Sequence, residues 1–295
     1  MSASLEVAVA AQARLGEGPT WDAAGRRLLW VDILQSEVHA YDPASGADSL
    51  LMRTGSHVGA AKPRAGGGIV ANLRDGIGCY EPDGAFRMLA DLAVPGVRGN
   101  DAAVAPDGSL WAGTMRYDFG SGGGRLYHIR PDGAVTTVLD DVTISNGIGW
   151  SPDGRLMYYI DTPTGRIDVF DVAPDDDGAG DGANVRDRRV FVDVDHPAPP
   201  DGLTVDADGC VWTALYGGGR VHRYTPDARL DRVVEVPAPN TTACAFGGPD
   251  LRDLYITSAR SDDPATEPAR DESLAGALFV LPGAGQGLPS PAFAG

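Results

Sequence analysis

Short units made of a tight turn and an apolar strand recur along the chain at regular intervals. In each unit Asp or Gly forms the turn and a strand follows, in five of the six units with an aromatic residue near its start, as in "APDGSLWAGTM" (105–115) and "SPDGRLMYYIDT" (151–162). Successive spacings of 39, 42, 47, 54 and 43 residues match the length of a four-stranded blade. The pattern therefore predicts an all-β fold, a six-bladed β-propeller. The six equivalent positions are Trp30, Ile69, Trp111, Tyr158, Trp212 and Tyr255.

Further strand patterns lie between these units, for example "EVHAYDP" (37–43) and "RIDVFDV" (166–172), and no long amphipathic helix is evident. A seventh blade would need a unit that the sequence does not provide. A β-sandwich rarely reaches this length with such a period. We therefore expect the 295 residues to form one propeller domain, 1–295.

Composition and charge narrow the function classes. The chain is 43% hydrophobic, enough for a full core, and it has no run of 18 apolar residues that would span a membrane. Its net charge of −17 argues against nucleic acid or an anionic membrane as partner. The amino terminus does not resemble a signal peptide, and three scattered cysteines, Cys79, Cys210 and Cys244, favour reduced thiols. We expect a monomer in the cytoplasm.

Polar residues recur at one phase of the repeat, 11 to 13 residues before the aromatic position of each unit. In a propeller, equivalent positions lie on one ring around the axis, here at one mouth of the central channel. Two carboxylates and amide oxygens on such a ring form a cation site, because a divalent cation offsets the repulsion between buried carboxylates. Singly, several of these residues would be ordinary turn residues, but their common phase favours a shared site. The ring consists of Glu17, His57, Asn100, Asn146, Asp201 and Thr242.

Other acidic residues have simpler interpretations. The aspartates of the "PDG" turns (Asp83, Asp107, Asp132 and Asp153) are expected to be structural. The acidic stretch "DDDGAGDGA" (175–183) superficially resembles a calcium loop but lacks the later bidentate glutamate, so we expect a solvated turn.

Several motifs in the same order resemble the senescence marker protein/gluconolactonase/regucalcin-like family over nearly the whole chain. They are "LGEGPTW", "RGNDAAVAPDGSLWAGTM", "SNGIGWSPDGRLMYYIDT", "PPDGLTVDADGCVWTALYGGGRV", "TTACAFGGPDLRDLYITSAR" and the closing "FAG". The resemblance implies a six-bladed propeller with one divalent metal ion in the central channel, bound by Glu17, Asn146 and Asp201. It implies substrate contacts from Arg98 and Asn100, and a role as general base for Asp201.

The activity that the resemblance implies is the hydrolysis of sugar lactones to aldonic acids, as in a gluconolactonase. Calcium is the expected occupant of the metal site, and Zn²⁺, Mn²⁺, Mg²⁺ or Fe²⁺ also suits such ligands. The metal would act as a Lewis acid on the lactone carbonyl, and the sequence leaves open whether Asp201 or a water activated by the metal is the effective base. Two alternatives remain: a calcium-binding regulatory propeller without catalysis, and a phosphotriesterase-like hydrolase.

The sequence departs from the family pattern after "GTM". Some relatives carry an acidic residue there that contacts the sugar, whereas this chain continues Arg116-Tyr117-Asp118. The segment "HVGAAKPRAGGG" (57–68) is also unusually rich in Gly and Ala. Both departures leave the identity of the sugar open.

Overall fold

The computed structural model describes residues 4–173, 184–260 and 273–295. The acidic stretch 175–183 lies outside the described residues. Within them the fold is all-β, with 24 strands and one short 3-10 turn at Thr162–Thr164. The described residues contain no helix long and apolar enough to cross a membrane.

In chain order the strands are β1 (Glu6–Val9), β2 (Gly16–Asp22), β3 (Arg27–Asp32), β4 (Glu37–Asp42), β5 (Ala47–Arg53), β6 (Val58–Pro63), β7 (Ile69–Leu73), β8 (Gly76–Tyr80), β9 (Phe86–Asp91), β10 (Val97–Val104), β11 (Leu110–Arg116), β12 (Gly124–Ile129), β13 (Val135–Val142), β14 (Ser145–Trp150), β15 (Leu156–Asp161), β16 (Arg166–Val172), β17 (Val185–Asp193), β18 (Pro200–Val205), β19 (Val211–Leu215), β20 (Arg220–Tyr224), β21 (Leu230–Glu235), β22 (Asn240–Gly247), β23 (Asp253–Ala259) and β24 (Leu278–Leu281).

These strands form six four-stranded antiparallel sheets, the blades of a six-bladed propeller. Blades 1 to 5 are continuous in sequence: β2–β5, β6–β9, β10–β13, β14–β17 and β18–β21. Blade 6 takes its inner three strands, β22, β23 and β24, from the carboxyl-terminal part of the chain and its outermost strand, β1, from the amino-terminal part. The ring of blades is therefore closed by pairing the two ends of the chain. The predicted fold is confirmed.

The six equivalent positions of the repeat, five aromatic residues and Ile69, all lie on the second strand of a blade. There they are buried between neighbouring blades, as Trp30 and Trp212 show with exposures of 2% and 0%. Trp212 packs edge-to-face against Phe246 of blade 6, with ring centroids 5.8 Å apart. The repeat in the sequence therefore reflects contacts between blades.

The innermost strands, β2, β6, β10, β14, β18 and β22, surround the central channel. Each of them loses register with the second strand of its blade at one point near its start. Such bulges redirect side chains, and in five of the six blades the predicted ring residue lies at or beside the break.

The far end of the channel is covered by the carboxyl-terminal segment. Residues 288–291 line a cavity of about 410 Å³ together with residues from all six inner strands. Phe293 is fully buried, and Arg64 Nε donates to the Gly295 carbonyl over 2.8 Å. The carboxyl-terminal segment therefore lies at the end of the channel away from the bulges.

Candidate metal and substrate site

Four predicted site residues lie at the bulges of four different blades. Glu17, Asn100, Asn146 and Asp201 are each only 4–6% exposed, although all are polar and two are acidic. The inner strands approach closely here, since a Cβ atom on Gly147 would lie 2.8 Å from the Asp201 carbonyl oxygen. The Asn-Gly pair at 146–147 is thus part of a strand, and its glycine lets two blades meet at the site.

The two asparagines are held in fixed orientations by hydrogen bonds. Asn100 Nδ2 donates to Asn146 Oδ1 (2.7 Å) and to the Ser145 carbonyl (2.9 Å). Asn146 Nδ2 donates to Thr162 Oγ1 over 2.7 Å, which turns Asn146 Oδ1 towards the ring. Because a carbonyl oxygen has two lone pairs, Asn146 Oδ1 keeps one acceptor position after its bond to Asn100.

The two acidic residues lie close enough to interact electrostatically. Burial, followed by the charge of Asp101, raises the pKa of Glu17, and burial together with the charges of Glu17 and Asp101 raises the pKa of Asp201 well above its ordinary value. Glu17 Oε2 accepts a hydrogen bond from the Gly18 amide (2.9 Å). No donor in the described residues bonds to the Asp201 carboxylate. Each of the two buried carboxylates keeps at least one oxygen that accepts no hydrogen bond from the described residues, and a nearby positive charge would stabilise both.

Arg98 is the basic residue of the site, and it is 6% exposed. Its Nη1 donates to Asn100 Oδ1 (2.7 Å) and to the Gly99 carbonyl (2.8 Å). In the described residues its guanidinium forms no ion pair. Burial lowers the pKa of Arg98, and the nearby Tyr117, Glu17 and Asp201 oppose that shift only in part. A buried guanidinium with unused N–H groups can bind an oxygen-rich ligand.

The structure corrects the ring at blade 2, where His57 was expected. The residue at the bulge of β6 is Gly59, and a Cβ atom there would lie 2.1 Å from the Asn100 carbonyl oxygen, so no side chain fits. His57 lies two residues earlier, half-buried, and its Nδ1 is 2.8 Å from the Tyr117 hydroxyl. Tyr117 is the second residue after the "GTM" motif, so His57 pairs with the segment in which the sequence was expected to depart from the family pattern.

Thr242 of blade 6 lies at its bulge but is turned away from any ligand role. Its hydroxyl donates to the Gly16 carbonyl (2.6 Å) and is 2.9 Å from Thr257 Oγ1. Asp101, the neighbour of Asn100, accepts a hydrogen bond from the Ala102 amide (2.7 Å), which fits a structural role.

Sequence reasoning missed two buried polar residues beside the ring, Lys62 and Asn72, which are 7% and 2% exposed. Neither lies at the repeat phase that revealed the other site residues. One signal was available for Lys62: it is the single lysine of the chain, and it lies inside the channel rather than at the surface.

The described residues contain no group of three or more His, Cys, Asp or Glu side chains suited to a metal ion. A cation at the ring would therefore be bound by mixed carboxylate and amide oxygens, the donor type preferred by calcium and magnesium. The fold and these residues together define a propeller with a polar site at one mouth of its channel.

Comparison with known proteins places the chain within a family. The sequence model of the SMP-30/Gluconolactonase/LRE-like region matches residues 15–260, and the chain belongs to this family. It is 38% identical over 280 residues to the pentonolactonase XacC of Haloferax volcanii, covering 94% of this chain and 93% of that protein. It is 34% identical over 298 residues to the 6-deoxy-6-sulfogluconolactonase of Pseudomonas putida, covering 100% of both chains.

Among solved structures, the propeller resembles the calcium-binding protein regucalcin of Agrobacterium tumefaciens. The TM-score is 0.89 at 32% sequence identity, covering 99% of this chain and 97% of that one. The family resemblance expected from the sequence motifs is thus confirmed over the whole propeller.

Proposed function

We propose that the protein hydrolyses sugar lactones to aldonic acids, with one divalent cation bound by Glu17, Asn146 and Asp201. The observation that carries this proposal is the pair of buried carboxylates, Glu17 and Asp201, whose mutual repulsion a cation would remove. The lactonases among the relatives support the choice of substrate.

The three residues fit a hard cation in their chemistry and in their remaining acceptor positions. Glu17 keeps one carboxylate oxygen after its bond to the Gly18 amide. Asn146 keeps one lone pair after its bond to Asn100, and Asp201 keeps both carboxylate oxygens. A cation held by them would supply Lewis-acid polarisation of the lactone carbonyl.

The protein's own residues have separable roles in this proposal. Arg98 binds ring hydroxyls or the carbonyl oxygen through its unused N–H groups, and Asn100 keeps Arg98 in place. Asp201 has a carboxylate oxygen free to take a proton from the attacking water. Water then adds to the carbonyl carbon, the bond to the ring oxygen breaks, and that oxygen takes up a proton to become the hydroxyl of the product.

A second candidate is a calcium-binding propeller without catalysis. The structural likeness to the calcium-binding regucalcin favours it, and the same three ligands would serve both functions. Metal binding alone therefore does not separate the two candidates, and catalysis must be measured directly.

The deciding experiment measures acid release from a panel of freshly prepared aldonolactones in a pH-indicator assay. The protein is first stripped of metal, then assayed with each divalent ion in turn, and paraoxon is included as a phosphotriester substrate. We expect lactone turnover that disappears on chelation and returns with metal. Metal binding without any turnover would favour the regulatory propeller, equal turnover before and after chelation would exclude the metal mechanism, and faster turnover of paraoxon would favour a phosphotriesterase.

A further inference from the structure

Blade 2 differs from its neighbours because it contributes no side chain at the ring. Its bulge residue is Gly59, and the Asn100 backbone fills the space that a side chain would need. Yet this blade directs two buried polar side chains, Lys62 of β6 and Asn72 of β7, to the blades on either side of it. The proposed function does not use either of them.

Asn72 reaches from blade 2 into the bulge of blade 3. Its Nδ2 donates to the Asn100 carbonyl (3.0 Å) and the Gly113 carbonyl (2.8 Å), which lie on the two strands that lose register there. The neighbouring glycine at 99 makes this possible, since a Cβ atom would lie 2.5 Å from Asn72 Oδ1. One buried amide thus fixes the backbone that carries Asn100.

Lys62 reaches in the opposite direction, to the bulge of blade 1. Its Nζ donates to Thr20 Oγ1 over 2.6 Å, and the Thr20 hydroxyl donates to the Gly18 carbonyl (3.2 Å). The Gly18 amide in turn donates to Glu17 Oε2. Because β2 and β3 are out of register between Glu17 and Thr20, this chain of contacts spans the bulge that carries Glu17.

An ion pair does not account for Lys62. Among the described residues no carboxylate oxygen lies within 4.0 Å of its Nζ, although the negative charges of Asp101 and Glu17 act on it. Its one hydrogen bond to a described residue is the bond to Thr20. Burying an ammonium group costs free energy. We therefore expect Lys62 to have a function at the bulge that it contacts.

We propose that blade 2 is a positioning blade, in which Lys62 fixes the bulge that presents Glu17 and Asn72 fixes the bulge that presents Asn100. This inference rests on the proposed function, in which Glu17 binds the cation and Asn100 keeps the substrate-binding Arg98 in place. Neither positioning residue touches cation or substrate, and each acts through one neighbour. Their loss should therefore produce two different defects.

For Lys62→Met we expect calcium affinity to fall by about 10-fold or more, the range found when a residue that orients a ligand is lost. Turnover at saturating calcium should change little. The sign of the effect is decisive, because removing a nearby positive charge would by itself tighten cation binding. Calcium titration by calorimetry measures it without any substrate, and tighter or unchanged binding would overturn the role of Lys62.

Thr20→Val tests the same chain of contacts while keeping the charge of Lys62. We expect it to weaken calcium binding as well, and the double variant to bind no more weakly than the poorer single variant, since both changes break one link. Strictly additive effects would show that the two residues do not act through each other and would contradict the proposed chain.

For Asn72→Ala we expect the opposite pattern. Calcium affinity should stay within about threefold of the unmodified protein, while kcat/KM for lactone falls by about 10- to 100-fold and added calcium does not restore it. If this variant does not fold, Asn72→Ser keeps one donor, and we expect a smaller loss of the same kind. A loss of calcium binding as large as that of Lys62→Met would contradict separate roles.

Ser109→Ala is the matched control. Ser109 is a buried residue of blade 3 at the end away from the ring, and its hydroxyl donates to Asp107 Oδ1 (2.6 Å). We expect a lower Tm with normal calcium affinity and normal kcat/KM. If Lys62→Met and Asn72→Ala behave like this control, blade 2 is merely structural. If Glu17→Gln leaves calcium binding unchanged, the proposed function itself fails.

Discussion

The affinity of the ring for calcium should depend steeply on pH between about 6 and 8. Ordinary carboxylates are already ionised in this range and would give no such dependence. Burial and the Asp101 charge raise the pKa of Glu17 from 4.5 to about 8, and Asp201 is raised in the same direction. A cation must therefore displace a proton from Glu17 at neutral pH before this ligand can bind.

The size of the effect follows from the protonated fraction of Glu17. With a pKa of about 8, apparent affinity is reduced about twofold at pH 8 and about 100-fold at pH 6, so it should fall about 50-fold between these values. The raised pKa of Asp201 would make the decline steeper. A carboxylate with an ordinary pKa would change the affinity by only a few per cent over this range.

Calorimetry in two buffers of different ionisation enthalpy counts the protons released. We expect about one proton or more to be released per calcium bound at pH 7. The Glu17→Gln variant should release fewer protons, because glutamine does not titrate. This variant should also bind calcium more weakly, and excess calcium should partly restore its binding. Affinity that is constant between pH 6 and pH 8, with no proton released, would show that both carboxylates are already ionised. The environment inferred for the pair would then be wrong.

Four further predictions concern the same site. Asp201→Ala should abolish both calcium binding and lactone turnover, since it removes a ligand and the proposed base; turnover retained with tight calcium binding would exclude both roles. Asn100→Ala should lower kcat/KM by about one to three orders of magnitude without rescue by calcium; loss of calcium as complete as in Glu17→Gln would instead make it a ligand. Asp101→Asn should mainly lower the Tm, and a defect confined to kinetics would contradict this. In metal-free protein the Tm should fall as pH rises from about 4.5 to about 8, because Glu17 loses its proton at a lower pH in the unfolded chain than in the folded protein. Saturating calcium should suppress that fall. A Tm that rises over this range would contradict a raised pKa of Glu17.

The sequence was sufficient to predict the architecture because the repeat is imposed by packing between blades. Trp30 and Trp212 recur at one position since each must fill the gap to a neighbouring blade. The outermost strands were harder to predict, because one of their faces lies in solvent and their patterns are weak; β9, with four of its six residues exposed, is an example. The pairing of β1 with β24 joins distant segments and leaves no local signal.

The candidate site was predictable to the extent that it follows the repeat. Glu17, Asn100 and Asp201 share one phase, and the structure brings them together. The same rule failed at His57, because counting back from Ile69 cannot locate a bulge to within two residues. Asn72 could not be found by phase at all, since it serves the site from a second strand and across a boundary between blades.

The pairing of β1 with β24 also bears on how the chain folds and how it tolerates trimming. Glu6 lies opposite Val280, so this contact cannot form until nearly the whole chain has been made and the intervening blades have been brought round. Contacts of such high sequence separation slow folding. Without β1, β24 would present an unpaired edge carrying the apolar side chains of Leu278 and Phe279, a template for association with other chains. Deleting the amino-terminal residues that form β1 should thus promote aggregation as well as weaken the closure of the propeller.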